Sequence, residues 1–294
     1  MTKFSRRRLI GTTVIGTAMA SLLMAGKAVA QDRPRRGQEP AERITDPRAS
    51  HFDLGPDGDP WRIFLGLPAV PPPANGYSAI IALDGNASFP ILWHLREARA
   101  PQAPMALIGI GYPVQTRNDT TRRWFDLTSP GKEPVPPQPD LRGPGTRPTG
   151  GQDLFLAMIA EQLLPRLSRD LPLDPGALTL FGHSLGGLFV LHALFTRPGL
   201  FARYAAADPS TWWNAGETLR EANAFRGGVL AAGGRVTPPR PLLMSTSGTR
   251  RPAILDVLSD VPGLDLRHRA HPHESHGSVM RPAAAETLDL HLGR

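Results

Sequence analysis

Ala177-Leu178-Thr179-Leu180-Phe181-Gly182-His183-Ser184-Leu185-Gly186-Gly187-Leu188-Phe189 decides how the rest of the chain is read. Leu178 to Phe181 is a short apolar run with the length of a strand buried in a parallel sheet. It leads into Gly182-x-Ser184-x-Gly186, and beyond it Leu188, Phe189, Leu191, Leu194 and Phe195 recur at helical spacing. A strand, a sharp turn and a helix in that order would hold the Ser184 hydroxyl out of the sheet at a helix N-terminus, where free amides face it. Glycines flank such a serine because side chains there would collide with neighbouring backbone.

Outward from this stretch the chain alternates strands and helices. Tyr77–Leu83 and Ala106–Gly111 read as buried strands, with a helix from Phe89 to Arg99 between them. His51–Leu54 and Trp61–Leu65 flank the turn signal Gly55-Pro56-Asp57-Gly58. A helical pattern over Asp153–Leu167 precedes the serine, and Tyr204–Ala207, Pro241–Met244 and Leu266–Ala270 follow it as strands, with a closing helix near Arg281–Leu292. This alternation predicts an α/β fold with a mostly parallel central sheet covered by helices on both faces. With 294 residues and 40% apolar content, one large domain over residues 51–294 is expected. Residues 129–148 hold seven prolines and three glycines and are read as a loop.

The first thirty residues read as an export signal. Ser5-Arg6-Arg7-Arg8-Leu9-Ile10 is similar to the twin-arginine signature, an apolar run extends to Gly26, and Ala28-Val29-Ala30 predicts cleavage after Ala30. The expected product is periplasmic or secreted, with no stable membrane span; retention of the segment as an anchor is the alternative. Residues 31–50, polar and rich in Arg and Pro, read as a flexible spacer. The leader also explains the charge. Of the net +7, five positive charges (Lys3, Arg6, Arg7, Arg8, Lys27) fall before residue 31, leaving 28 basic against 26 acidic residues. Nucleic acid is therefore not an expected partner. Cysteine is absent, which excludes disulfides.

A serine hydroxyl needs a base, and four histidines (His268, His271, His273, His276) follow the last expected strand, where an α/β-hydrolase carries it. His276, between the last strand and the last helix, is the chosen base. A metal site shared by the four is the rival reading. The stretch after Pro241–Met244, Ser245 to Arg251, holds no acid to orient the imidazole. A Ser184–His276 dyad is therefore expected, with Asp256, Asp260 and Glu274 as candidate acids. Leu185 and Asn86 are expected to donate backbone N–H groups to an oxyanion.

Leu83-Asp84-Gly85-Asn86, Gly109-Ile110-Gly111-Tyr112, Arg123-Trp124-Phe125-Asp126-Leu127-Thr128, the serine stretch, Pro209-Ser210-Thr211-Trp212-Trp213 and His276-Gly277-Ser278 stand in one order over roughly residues 50 to 290. In this combination the chain resembles the enterochelin-esterase-like branch of the α/β-hydrolases, nearest to periplasmic siderophore esterases that cut catecholate trilactones. The resemblance implies an esterase without metal or organic cofactor, acting on a small-molecule ester such as a ferric or apo siderophore. It implies that Arg123 lies at the substrate site and that Trp212 and Trp213 lie near the nucleophile. It also fits a dyad, which some periplasmic members use. An Arg123–Asp126 ion pair and simple tryptophan packing are the alternatives for those residues. The proline-rich loop and Arg250-Arg251 depart from the pattern. A general short-acyl or feruloyl-type carboxylesterase, and a non-catalytic binding protein, remain the other functional readings.

Overall fold

The structure, a computed structural model, describes residues 38–131 and 145–294. The expected export signal, residues 31–37 of the expected spacer and residues 132–144 of the proline-rich loop lie outside the described residues.

Eight strands form one sheet in the order β1-β2-β4-β3-β5-β6-β7-β8. β1 (Ala49–Leu54) and β2 (Trp61–Gly66) make an antiparallel hairpin on one edge, and β2 pairs antiparallel with β4 (Met105–Gly111). From β4 through β3 (Tyr77–Leu83), β5 (Leu173–His183), β6 (Arg203–Ala207) and β7 (Arg240–Ser247) to β8 (Leu264–His271), every pairing is parallel. This is the mostly parallel α/β sheet that the alternating pattern predicts.

The central strands are apolar without alternation because both faces are covered, and the pleat divides each strand between two cores. Ala79, Ile81 and Leu83 of β3 face one core and Ile80 and Ala82 the other. On the first side pack α3 (Gln152–Met158), α5 (Leu185–Thr196) and α7 (Ile254–Ser259). The second is covered by α1 (Gly85–Arg99) and α8 (Met280–His291), through Phe89, Leu92, Trp93, Ala284 and Leu288. Among the described residues no helix is long and apolar enough to cross a membrane.

Two expectations change. Helix α1 starts at Gly85 rather than Phe89, so Asp84-Gly85-Asn86 is the strand-to-helix junction itself. Asp84 takes a left-handed conformation (φ 49°, ψ 50°), and a Cβ on Gly85 would come within 2.8 Å of the Gly109 carbonyl carbon, so only glycine lets the head of α1 lie this close to β4. The described part of the expected spacer is not free either. Ala41 N donates to Gln115 O (2.8 Å), Arg117 N donates to Glu39 O (2.9 Å), and Arg48 grips Asp46 and Glu97 at 2.7 and 2.8 Å. Composition alone hid this strap, because its hold on the body is backbone hydrogen bonding and charge rather than apolar periodicity.

Candidate active site

β5 ends at His183, and the next residue, Ser184, is forced into φ 61°, ψ −118° before α5 begins at Leu185. A non-glycine residue in such a conformation costs on the order of 1–3 kcal/mol and persists only where its surroundings fix it. Here Ser184 N donates to Ala207 O (2.9 Å) and Ser210 N donates to Ser184 O (3.1 Å), pinning the turn to the end of β6. A Cβ on Gly182 would lie 2.3 Å from Gly186 O, and one on Gly187 would lie 2.9 Å from Ala207 O. At Gly186 the nearest atom would be an ordinary 3.4 Å away. The glycines that the turn requires are therefore Gly182 and Gly187, and the last glycine of the five-residue pattern is not one of them.

Ser184 Oγ stands 3.0 Å from His276 Nε2, although 92 residues separate them in the chain. On the far side of the ring, His276 Nδ1 is 2.7 Å from Asp208 Oδ2. A carboxylate only accepts, so Nδ1 carries the proton and donates, which leaves the Nε2 lone pair to accept from the serine hydroxyl. Asp208 is the first residue after β6. Its N–H donates to Ser245 O (2.7 Å), and its carboxylate accepts from Ser247 N (3.1 Å) and Ser247 Oγ (2.7 Å). Burial pushes the Asp208 carboxyl up, but the hydrogen bonds from His276 and Ser247 outweigh it and hold the group below its ordinary value.

An acid-free dyad is thus corrected: the imidazole faces a carboxylate, and it is none of the three expected. Asp256 is 74% exposed and pairs with Arg251 at 3.2 Å, while Asp260 lies 3.8 Å from Arg226. Glu274 sits two residues from His276, but its backbone N–H is turned to His271 O, and the only imidazole nitrogen open to an acid is taken by Asp208. The signal in the sequence was an acid directly after a parallel strand, in Ala206-Ala207-Asp208, one strand earlier than the place searched.

The other expected site residues divide. Leu185 and Asn86 stand in the first turns of α5 and α1, whose leading N–H groups have no intrahelical partner. The two helices leave adjacent parallel strands, β5 and β3. Asn86 is locked by its side chain, which accepts from Tyr112 N (2.9 Å) and donates to Tyr112 O (3.0 Å) and Val114 O (3.2 Å). Arg123, on α2 (Arg122–Asp126), is occupied: its Nε and Nη2 hold both oxygens of Asp84 at 2.9 and 2.8 Å. Burial lowers the Arg123 guanidinium and Asp84 outweighs it, holding it above its ordinary value. Neither a free fork nor a partnership with Asp126 is found. Asp126 instead accepts from Trp61 Nε1 (2.7 Å), and burial pushes its carboxyl up to about 6.

Trp213 is withdrawn from the expected substrate surface. It is 1% exposed, donates Nε1–H to Ser129 Oγ (3.0 Å) and packs its ring 5.8 Å from that of Trp124. Trp212 is half-buried, edge-on to Trp213. The four histidines go to separate partners: His268 to Thr246 (2.9 Å), His271 to Glu286 (3.3 Å), His276 to Ser184 and Asp208, and His273 to the surface. A cavity of about 490 Å³, walled by Glu39, Asn86, Arg117, Gly277, Ser278 and Arg281 among others, opens between the head of α1 and the residues that follow His276.

The fold and this site define an α/β-hydrolase-type protein with a Ser–His–Asp constellation at the carboxyl ends of its strands. The putative esterase family matches residues 58–227, and the chain belongs to that family, in its enterochelin-esterase-like branch. It is 38% identical over 187 residues to the siderophore enterobactin esterase of Emericella nidulans, covering 60% of this chain and 60% of that protein. It is 33% identical over 201 residues to the ferri-bacillibactin esterase BesA of Bacillus subtilis, covering 66% and 68% respectively. The crystal structure of the BES protein from Bacillus cereus superposes with a TM-score of 0.72 at 26% identity, over 85% of this chain and 98% of that one.

Proposed function

We propose that this chain is a carboxylic ester hydrolase that uses Ser184 as nucleophile, His276 as general base and acid, and Asp208 to orient and balance the imidazole. The observation that carries the reading is the unbroken chain of contacts, 2.7 Å from Asp208 to His276 and 3.0 Å from His276 to Ser184. As Ser184 Oγ adds to the ester carbonyl carbon, His276 Nε2 takes its proton, and the carbonyl oxygen becomes an oxyanion bound by the N–H groups of Leu185 and Asn86. The imidazolium, held against Asp208, returns the proton to the departing alkoxide, leaving acyl-Ser184 and a free alcohol. Water activated by His276 then frees the acid by the same steps. A binding protein without catalysis loses its main support, since it rested on a missing acid.

The substrate class proposed is a siderophore-type ester of the catecholate trilactone kind. The named relatives, esterases of enterobactin and bacillibactin, support it. The twin-arginine-type leader supports action outside the cytoplasm, where mature protein should start at Gln31. Hydrolysis of ferric and apo tris-catecholate trilactones, beside simple 4-nitrophenyl acyl esters and with Ser184→Ala as blank, tests the reading. Cleavage of the trilactones at micromolar concentration by wild type alone is expected. Turnover of nitrophenyl esters only would move the substrate to the general carboxylesterase class. Full activity in Ser184→Ala would end the mechanism.

A further inference from the structure

The residue before the nucleophile is tied to the base. His183 Nε2 is 2.6 Å from the backbone carbonyl oxygen of His276, and the two imidazole rings lie against each other at a tilt, with centroids 4.9 Å apart and planes inclined by 35°. A carbonyl only accepts, so the Nε2 of His183 carries a proton and donates it. We infer that His183 is a positioning residue for the base, anchoring the loop that bears His276 to the end of β5 so that the imidazole is fixed between Ser184 and Asp208. The inference rests on the proposed roles of Ser184 and His276.

The geometry explains why such an anchor matters. His276 sits in the irregular segment between β8 and α8, with an exposed side chain, and no regular element holds its backbone in place. Its side chain reaches two targets on other elements, Ser184 at the head of α5 and Asp208 after β6. Ser184 is fixed by the sheet, and so is His183, one residue earlier on the same strand end. A hydrogen bond from His183 to the main chain of His276 therefore references the base directly to the strand that carries the nucleophile. The ring contact closes one side of the imidazole and limits its rotation. Burial, and next the nearby His276, hold the His183 pKa down at about 4, so His183 stays neutral and sets no cation beside the imidazolium that His276 must become.

The test uses the whole protein with His183→Leu, His183→Gln and His183→Asn, and with Ser184→Ala and His276→Ala as references. Glutamine sets an amide N–H near the place of imidazole Nε2. Asparagine sets one near Nδ1, short of the His276 carbonyl. A base misplaced by about 1 Å loses on the order of 100-fold in rate. His183→Leu and His183→Asn are accordingly expected to lower kcat, and the rate of fluorophosphonate labelling of Ser184, by about 100-fold with KM held within about twofold. His183→Gln should recover most of both. A kcat in His183→Leu equal to wild type, while the two reference variants are dead, overturns the anchor and leaves the mechanism intact. Activity in the reference variants overturns the mechanism itself. Should His183→Leu not fold, the comparison of His183→Gln with His183→Asn decides alone, and equal losses overturn the inference.

Discussion

Asp208 Oδ2 and His276 Nδ1 meet at 2.7 Å, across 68 residues of chain and from the exit of β6 rather than β7. Ser247, at the end of β7, supplies two hydrogen bonds to the same carboxylate, so the acid stands on one strand and is steadied by the next. Asp208→Asn keeps the shape but offers an amide where an acceptor is needed, which sets the wrong imidazole tautomer. A loss of about 10⁴-fold in kcat is expected. Asp256→Asn, Asp260→Asn and Glu274→Gln should each stay within about twofold of wild type. Steady-state kinetics on the four variants checks this, and a loss of that size at any of the last three would reassign the acid.

The paired charges Arg123 and Asp84 are 15% and 6% exposed, and they join α2 to the residue that opens α1. Removing one partner strands the other in a poorly solvated place. Arg123→Leu and Asp84→Asn should each lower unfolding stability by roughly 3–5 kcal/mol, and the double variant by less than the sum. Arg123→Lys should recover only part, because an ammonium cannot reproduce the two parallel bonds. Urea unfolding midpoints measure all four. If Arg123→Leu instead raises KM with no loss of stability, the guanidinium serves substrate, as the family resemblance implies.

The elbow gives a sharper contrast among three glycines. Gly182→Ala and Gly187→Ala place a methyl group 2.3 Å from Gly186 O and 2.9 Å from Ala207 O, against backbone that cannot yield. Both should express insoluble or lose Ser184 reactivity outright. Gly186→Ala meets nothing nearer than 3.4 Å and lies in the first turn of α5, where alanine is favoured over glycine by up to about 1 kcal/mol. It should fold, label with fluorophosphonate and melt at or above the wild-type temperature.

The strand and helix order was legible because buried parallel strands leave near-continuous apolar runs, as Tyr77–Leu83 does, matching β3 residue for residue. Ser184 and His276 were legible because each lies at a place that the strand order defines. Asp208 was not, since an acid can stand after either of two neighbouring strands and only the loop path of His276 decides which. The partners of Trp213 and Arg123 were not legible, for a shared reason. Side-chain chemistry says what a group can bind, whereas its occupant is fixed by packing from elements distant in sequence, here Ser129 and Asp84. The strap at Glu39–Arg48 was lost because its anchors, Gln115, Arg117 and Glu97, lie far along the chain.

One buried and one half-buried histidine shape the acid response. His291 is 6% exposed, hydrogen-bonded to Thr179 Oγ1 (2.8 Å) and Ser78 Oγ (2.9 Å), and burial, then Arg203, lowers its pKa to about 3. His183 is lowered to about 4. Unfolded, both titrate near the ordinary value of 6.5. Below that pH the unfolded chain binds protons that the folded chain refuses, so stability present above pH 6.5 drains away as pH falls, through about 4 for His183 and about 3 for His291. Asp126 opposes this in part, since its carboxyl, raised to about 6 from 3.8, keeps in the folded state a proton that the unfolded state sheds. Among these three groups, two protons against one contribute a loss of roughly 1.4 kcal/mol per pH unit across the window from about 6 to 4, and the lowered His268 adds to it in the same direction. Urea midpoints at pH 7, 6, 5 and 4 should fall at least that steeply. His291→Gln, less stable throughout, should show a slope about one proton shallower; an unchanged slope would mean that His291 titrates alike in both states.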